Sequence, residues 1–170
     1  VTKYSIPAKL ASLIGLLITT ACVPLWAANG EALARNDLAW IRKMCLSLTL
    51  VAGLVATLIG FLLYFFGNTI TEIWMGRRFA DFNTIIIALA AFSIMQAIVS
   101  PSNMLLNSRS KIKIQIIAWS IFLIITLTAK TLTLNTFSNI WIIPAISAIS
   151  YCIIIAPPVF FTARKICSQA

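Results

Sequence analysis

The sequence predicts an all-α fold, a polytopic membrane helical bundle of five transmembrane helices. Three observations carry that expectation. Hydrophobic residues make up 61% of the chain and charged residues only 10%, with a mean hydropathy of +0.99, far outside the soluble range. The charges divide the 170 residues into five uncharged runs, 10–30, 44–71, 82–108, 114–129 and 131–163. Crossing the hydrocarbon core takes roughly 20 mostly apolar residues in a helix, so each run, with its less polar flanks, supplies one span. No heptad array, low-complexity linker or soluble domain separates them, and residues 1–170 read as a single membrane domain.

The first span covers about residues 6–28, with Pro7 in its opening turn and Pro24 bending its far end. The second, 42–66, carries Gly53 and Gly60 on one face, seven apart, where a neighbouring helix can approach closely. Gly67 and Asn68 are expected to end it, and the link GNTITEIWMGRRFADF mixes aromatic and charged residues in the manner of a membrane interface. The third span, 81–106, closes past Pro101 on the basic connector NSRSKIK. The fourth, 112–134, holds Lys130 near one end, where a long side chain can snorkel. The last, 139–162, contains Pro144, with Pro157 and Pro158 near its end.

A net charge of +9 suggests nucleic acid in a soluble protein, yet here the cations are scattered between spans, and no nucleic-acid partner is expected. Their arrangement speaks to orientation. Alternating spans gather Lys3, Lys9, Arg77, Arg78 and Lys130 on one side. The other receives Arg35, Arg42, Lys43, Arg109, Lys111, Lys113, Arg164 and Lys165, eight against five. The positive-inside rule then puts the larger set in the cytoplasm and the N-terminus outside.

The residue types exclude several chemistries. Histidine is absent, and Cys22, Cys45, Cys152 and Cys167 share no paired spacing, so neither a metal centre nor a disulfide framework is expected. Glu31, Asp37, Glu72 and Asp81 all fall in loops or at span ends, away from any mid-membrane carboxylate relay. Without a phosphate-cradling loop or a nucleophile elbow, the expectation is a protein that is no enzyme and takes no cofactor.

Polar residues inside the spans are the informative exceptions, because in lipid each needs a partner or a wet cavity. Ser5, Lys9, Ser12, Thr19 and Thr20 fall within one quadrant of the first helix. Ser93, Gln96, Ser100, Asn103 and Asn107 follow spacings of three and four on the third. Interhelical hydrogen bonding alone accounts for such residues at about 0.6 kcal/mol each. Two aligned stripes on different helices also fit a shared hydrated cavity, lined by Ser12, Thr19, Gln96, Ser100 and Asn103, with Lys9 as an anion-attracting group at its mouth. In the first loop, Glu31 and Arg35 stand four apart, the spacing of an ion pair on a short helix, and Asp37 is positioned to cap the next span through Trp40. That loop is expected to hold two helices at a fixed angle.

The same loop carries a family likeness. PLWAANGEALARNDLAW resembles the pattern P-x-W-P-A-Y-x-E-A-x-A-R-G-D-x-x-W of polysaccharide-biosynthesis flippases, the O-antigen (Wzx-type) transporters of the MATE-like multidrug/oligosaccharidyl-lipid/polysaccharide superfamily. Pro24, Trp26, Glu31, Ala32, Ala34, Arg35, Asp37 and Trp40 match; Ala27 stands for the second proline, Asn29 for the tyrosine and Asn36 for the glycine. EIWMG at 72–76 and LLNSRSKIKIQ at 105–115 are similar to later loops of that family. The resemblance implies a bacterial inner-membrane transporter of undecaprenyl-diphosphate-linked oligosaccharide, with other polysaccharide-assembly membrane proteins as candidate partners. It also implies that the five spans correspond to the eighth through twelfth of a twelve-span protein, making this chain a partial C-terminal bundle. On that likeness Lys9 attracts diphosphate, while Ser12, Thr19, Gln96, Ser100 and Asn103 hydrogen-bond sugar. The alternatives are a multidrug exporter of the same superfamily and a membrane scaffold or accessory subunit that moves nothing.

Overall fold

The computed structural model describes residues 2–76, 81–136 and 139–168; Arg77 and Arg78, counted in the charge balance, lie outside the described residues. Helix follows helix throughout. In order they are α1 (Thr2–Cys22), α2 (Pro24–Ala34), α3 (Leu38–Met75), α4 (Phe82–Ser108), α5 (Ile112–Thr136), α6 (Ile142–Ser150), a π-helical segment (Tyr151–Ile155) and α7 (Ala156–Ser168). Taking α1 with α2, and α6 with α7, they form five helices long and apolar enough to cross a membrane. The chain is an all-α multi-pass membrane bundle.

Its exposed surface fits lipid as solvent. Leu50, Leu54, Leu58, Phe61 and Phe65 on α3 and Leu123, Ile124 and Leu127 on α5 all point outward, which water would penalise and hydrocarbon does not. The buried residues fall into two clusters. One joins α1, α3 and the first part of α4 through Ile14, Ile18, Ala56, Leu63, Phe82 and Ile86. The other joins the end of α2, the start of α3, the second part of α4, and α5 through α7, around Ile41, Leu105, Phe122, Tyr151 and Val159. α4 belongs to both and is the axis of the bundle.

α3 lies antiparallel against α4 along a row of glycines. A β-carbon on Gly53 would come within 3.1 Å of Ile98, one on Gly60 within 3.2 Å of the Ala90 methyl, and one on Gly67 within 2.5 Å of the Phe82 ring. The seven-residue spacing keeps all three on one face, where the missing side chains let the backbones close up. This row changes one expected boundary. Gly67 and Asn68 do not end the second span: the helix runs on to Met75 and stops at Gly76, whose φ of 70° is the left-handed C-cap conformation. A mid-helix glycine costs only about 1 kcal/mol, and packing against the fully buried Phe82 outweighs it. Pro101 lies inside α4, which continues to Ser108, and at Pro24 the first span is interrupted only locally, since Val23 keeps right-handed helical dihedrals and α1 and α2 together remain one apolar span. In the last span the π-helical turn directly precedes Pro157 and Pro158. Neither proline has an N–H to give the carbonyl four residues back, and the widened turn is one way a helix accommodates that loss.

The turn from α2 to α3 is built by Asn36, at φ 60°. With it there, the Asp37 amide reaches back to the Ala32 carbonyl at 2.9 Å and the Asn36 amide to that of Leu33 at 3.1 Å, closing α2 with a left-handed cap. Asparagine tolerates this conformation better than other non-glycine residues. Ser108, at the end of α4, donates to the Trp26 carbonyl at 2.8 Å and ties α2 down at that end of the bundle.

Candidate functional site

A groove of about 540 Å3 opens between α1, α4, α5 and the π-helical turn, within the ordinary range for small-molecule sites of roughly 300–1,000 Å3. α4 forms its floor with Ser93, Gln96, Ala97, Ser100 and Asn103, residues three and four apart that share one helix face. Ser12, Gly15 and Thr19 of α1 make one wall, Trp119 of α5 and Tyr151 the other. Among the described residues α1 makes no contact with α5, α6 or α7, so the walls stand apart and the groove stays open along its length.

Five of the six residues singled out for a cavity, Ser12, Thr19, Gln96, Ser100 and Asn103, thus line one space. Lys9 does not. It is exposed and lies one turn before Ser12, whose hydroxyl donates to the Lys9 carbonyl at 2.7 Å. A helical wheel fixes the angle of a side chain and not its depth, and the groove begins only at Ser12. Thr20 and Asn107, at the edges of the two stripes, are also absent from the lining.

The hydroxyls are already engaged in part. Thr19 donates to the Gly15 carbonyl at 2.5 Å, and Ser93 donates across to the Ala11 carbonyl of α1 at 3.3 Å, fixing that helix against the floor. Their oxygens keep acceptor capacity towards the groove. The two carboxamides share this space, and that of Asn103 also meets the Tyr151 side chain. The Gln96 amide stands beside Gly15, where a β-carbon would sit 3.8 Å from its Oε1, and the buried Asn103 Oδ1 has no hydrogen-bond partner. The Asn103 backbone carbonyl, by contrast, receives the Gln115 side-chain amide at 3.1 Å, which anchors the start of α5 to the floor.

Sequence reasoning missed the aromatic wall. Tyr151 is almost fully buried and is met edge-on by Phe92, Trp119 and Phe122 at ring-centroid distances of 5.7, 5.8 and 5.9 Å. Such contacts contribute about 0.5–1.5 kcal/mol each beyond burial and hold the Trp119 ring in place at the groove. Neither Trp119 nor Tyr151 sits in a polar stripe, so only their meeting in space marks them. The Pro157–Pro158 pair was the one available signal, since π-helical turns recur at functional sites.

No charged side chain lines the groove. The loop residues stand elsewhere: Glu31 and Arg35 pair at 3.5 Å on the outer face of α2, and Asp37 caps α3 by accepting from the Trp40 amide at 3.0 Å. Trp40 packs against the second core cluster. Among the described residues no three acidic, cysteine or histidine side chains gather. No known protein family, curated protein or solved structure matches the chain.

Proposed function

We propose that the chain is part of a transporter that moves undecaprenyl-diphosphate-linked oligosaccharide across the bacterial inner membrane, acting as a carrier and not an enzyme. The observation that supports this most is the convergence of Gln96, Asn103, Ser100, Ser12 and Thr19 on one groove at membrane depth. The Gln96 carboxamide, the unpartnered Asn103 Oδ1 and the hydroxyl acceptors match the hydroxyls of a sugar, and an aromatic face such as Trp119 suits the apolar side of a pyranose ring. A neutral lining makes no demand for an ionic cargo within this groove. The diphosphate is therefore contacted outside it, and Lys9 serves at most at its approach.

The turn between α2 and α3 lends the family likeness a physical footing. Where the flippase pattern has glycine, this chain has Asn36 in the left-handed region, a replacement that the backbone conformation tolerates. The larger set of cations, by the positive-inside rule, gives a cytoplasmic α2 and C-terminus.

The test is Gln96→Leu with Asn103→Leu in the protein as its host makes it, reading surface polysaccharide and lipid-linked precursor. Export should fall and precursor accumulate at normal protein level. Unchanged export would end the reading. Trp119 and Tyr151 also favour a second one, export of amphipathic drugs, for which the same double variant would lower drug tolerance and leave surface polysaccharide intact.

A further inference from the structure

At the end of the bundle where α2 lies, a second cavity of about 480 Å3 opens between the start of α3, the end of α4 and α7. Arg42 on α3 and Arg164 on α7 both line it, with the hydroxyl-bearing Thr49 and Ser102 between them and Leu46 and Phe160 on its membrane side. The lining contains no carboxylate. The ion pair of Glu31 with Arg35 lies elsewhere, so among the described residues neither guanidinium of this cavity is paired with a carboxylate of its lining. Leu46 is 61% exposed and Phe160 36%, and both continue the lipid-facing surface. The cavity therefore has two chemical zones, a cationic one at the end of the bundle and an apolar one that runs into the bilayer.

We propose that this cavity binds one anionic phospholipid, its headgroup phosphate held between Arg42 and Arg164 and one acyl chain lying over Leu46 and Phe160. A guanidinium presents paired donors that match phosphate oxygens, and a basic pocket between membrane helices, near the surface, is where anionic headgroups collect. Thr49 and Ser102 supply further donors for ester or headgroup oxygens. A free phosphate ion would satisfy the arginines but leave Leu46 and Phe160 unused. α3 and α7 otherwise touch only sparingly, so a lipid here braces two helices across the end of the bundle. This inference stands apart from the transport reading and survives its failure.

The purified protein in neutral detergent is titrated with dioleoylphosphatidylglycerol, dioleoylphosphatidylcholine or inorganic phosphate, while native mass spectrometry counts retained lipid and a thermal ramp reads the unfolding midpoint. Phosphatidylglycerol should be retained in preference to phosphatidylcholine and raise the midpoint. Arg42→Gln with Arg164→Gln should lower that preference by about tenfold or more. Arg109→Gln with Lys111→Gln, charges near the same end but outside the cavity, should keep it. Should the arginine pair fail to fold, Ser168→Trp, which fills the cavity with both cations in place, should also abolish the preference. The proposal is overturned if the arginine variant retains it, if the Arg109/Lys111 variant loses it equally, or if millimolar phosphate gives the same shift as the lipid.

Discussion

Replacing Gly67 by alanine tests whether the α3–α4 seam is as tight as its glycines imply. The new methyl would sit 2.5 Å from the Phe82 Cζ, whereas carbon atoms rest at about 3.5–4.0 Å. The overlap is therefore about 1 Å, and the ring it strikes is fully buried with no free space to turn into. Overpacking of this kind costs about 1–3 kcal/mol, and the better helix propensity of alanine returns about 1 kcal/mol. A net loss of up to about 2 kcal/mol corresponds to a fall of up to about 8 °C in the unfolding midpoint for a chain of this size, read by intrinsic tryptophan fluorescence in detergent. Gly53→Ala supplies the contrast. Its methyl would meet the Ile98 Cγ1 at 3.1 Å, a side chain that can shift a few tenths of an ångström, so the variant should stay within about 0.5 kcal/mol of the parent. Phe82→Leu on the Gly67→Ala background should recover part of the loss, with a coupling of about 0.5–3 kcal/mol. If Gly67→Ala melts at or above the parent while Gly53→Ala melts below it, the helices do not pack through this row.

Asn29 is fully buried with neither side-chain polar atom partnered, so Asn29→Leu should raise the unfolding midpoint, reflecting about 1–3 kcal/mol of relieved desolvation; a lower midpoint would mean that the amide has a partner. Asp37→Ala removes the cap on the Trp40 amide and should cost about 1 kcal/mol, measured in the same melt. Glu31→Gln should change stability by no more than about 0.5 kcal/mol, because its pair with Arg35 is exposed. Gly15→Leu should leave the melt near that of the parent yet block the groove beside Gln96, a difference visible only in an export assay.

The spans were legible because lipid imposes a simple rule, long apolar stretches between charges, and five helices long and apolar enough to cross a membrane are found among the described residues. The glycine face of α3 was legible from Gly53 and Gly60, since their spacing of seven survives any choice of helix ends. What failed was the use of Gly67 as a stop signal: a glycine that breaks an isolated helix is favoured where another helix must come close. Gly76, followed by two arginines, was the true C-terminal signal in the same stretch. For the groove, periodicity recovered Gln96, Ser100, Asn103, Ser12 and Thr19 because side-chain angle about a helix axis follows from residue number alone. It could not say how far along the axis Lys9 stands from the lining, nor find Trp119 and Tyr151, which reach the groove from helices that carry no stripe.

The division of the core explains why the groove exists at all. α1 and α3 are bound to the first part of α4 by one buried cluster, and α5 to α7 are bound to the second part by another. The two sets meet chiefly through α4, and α1 nowhere touches the helices opposite it among the described residues. The floor thus belongs to a helix fixed from both sides, while the width of the groove is set by two walls that make no contact with one another among the described residues. Ser93 holding the Ala11 carbonyl and Gln115 holding the Asn103 carbonyl are the polar ties that link each wall to the floor. On the proposed function these ties, and not the lining groups, limit how far the walls separate. Ser93→Ala should therefore alter the rate of export with the cargo preference unchanged, whereas Asn103→Leu should alter the preference itself.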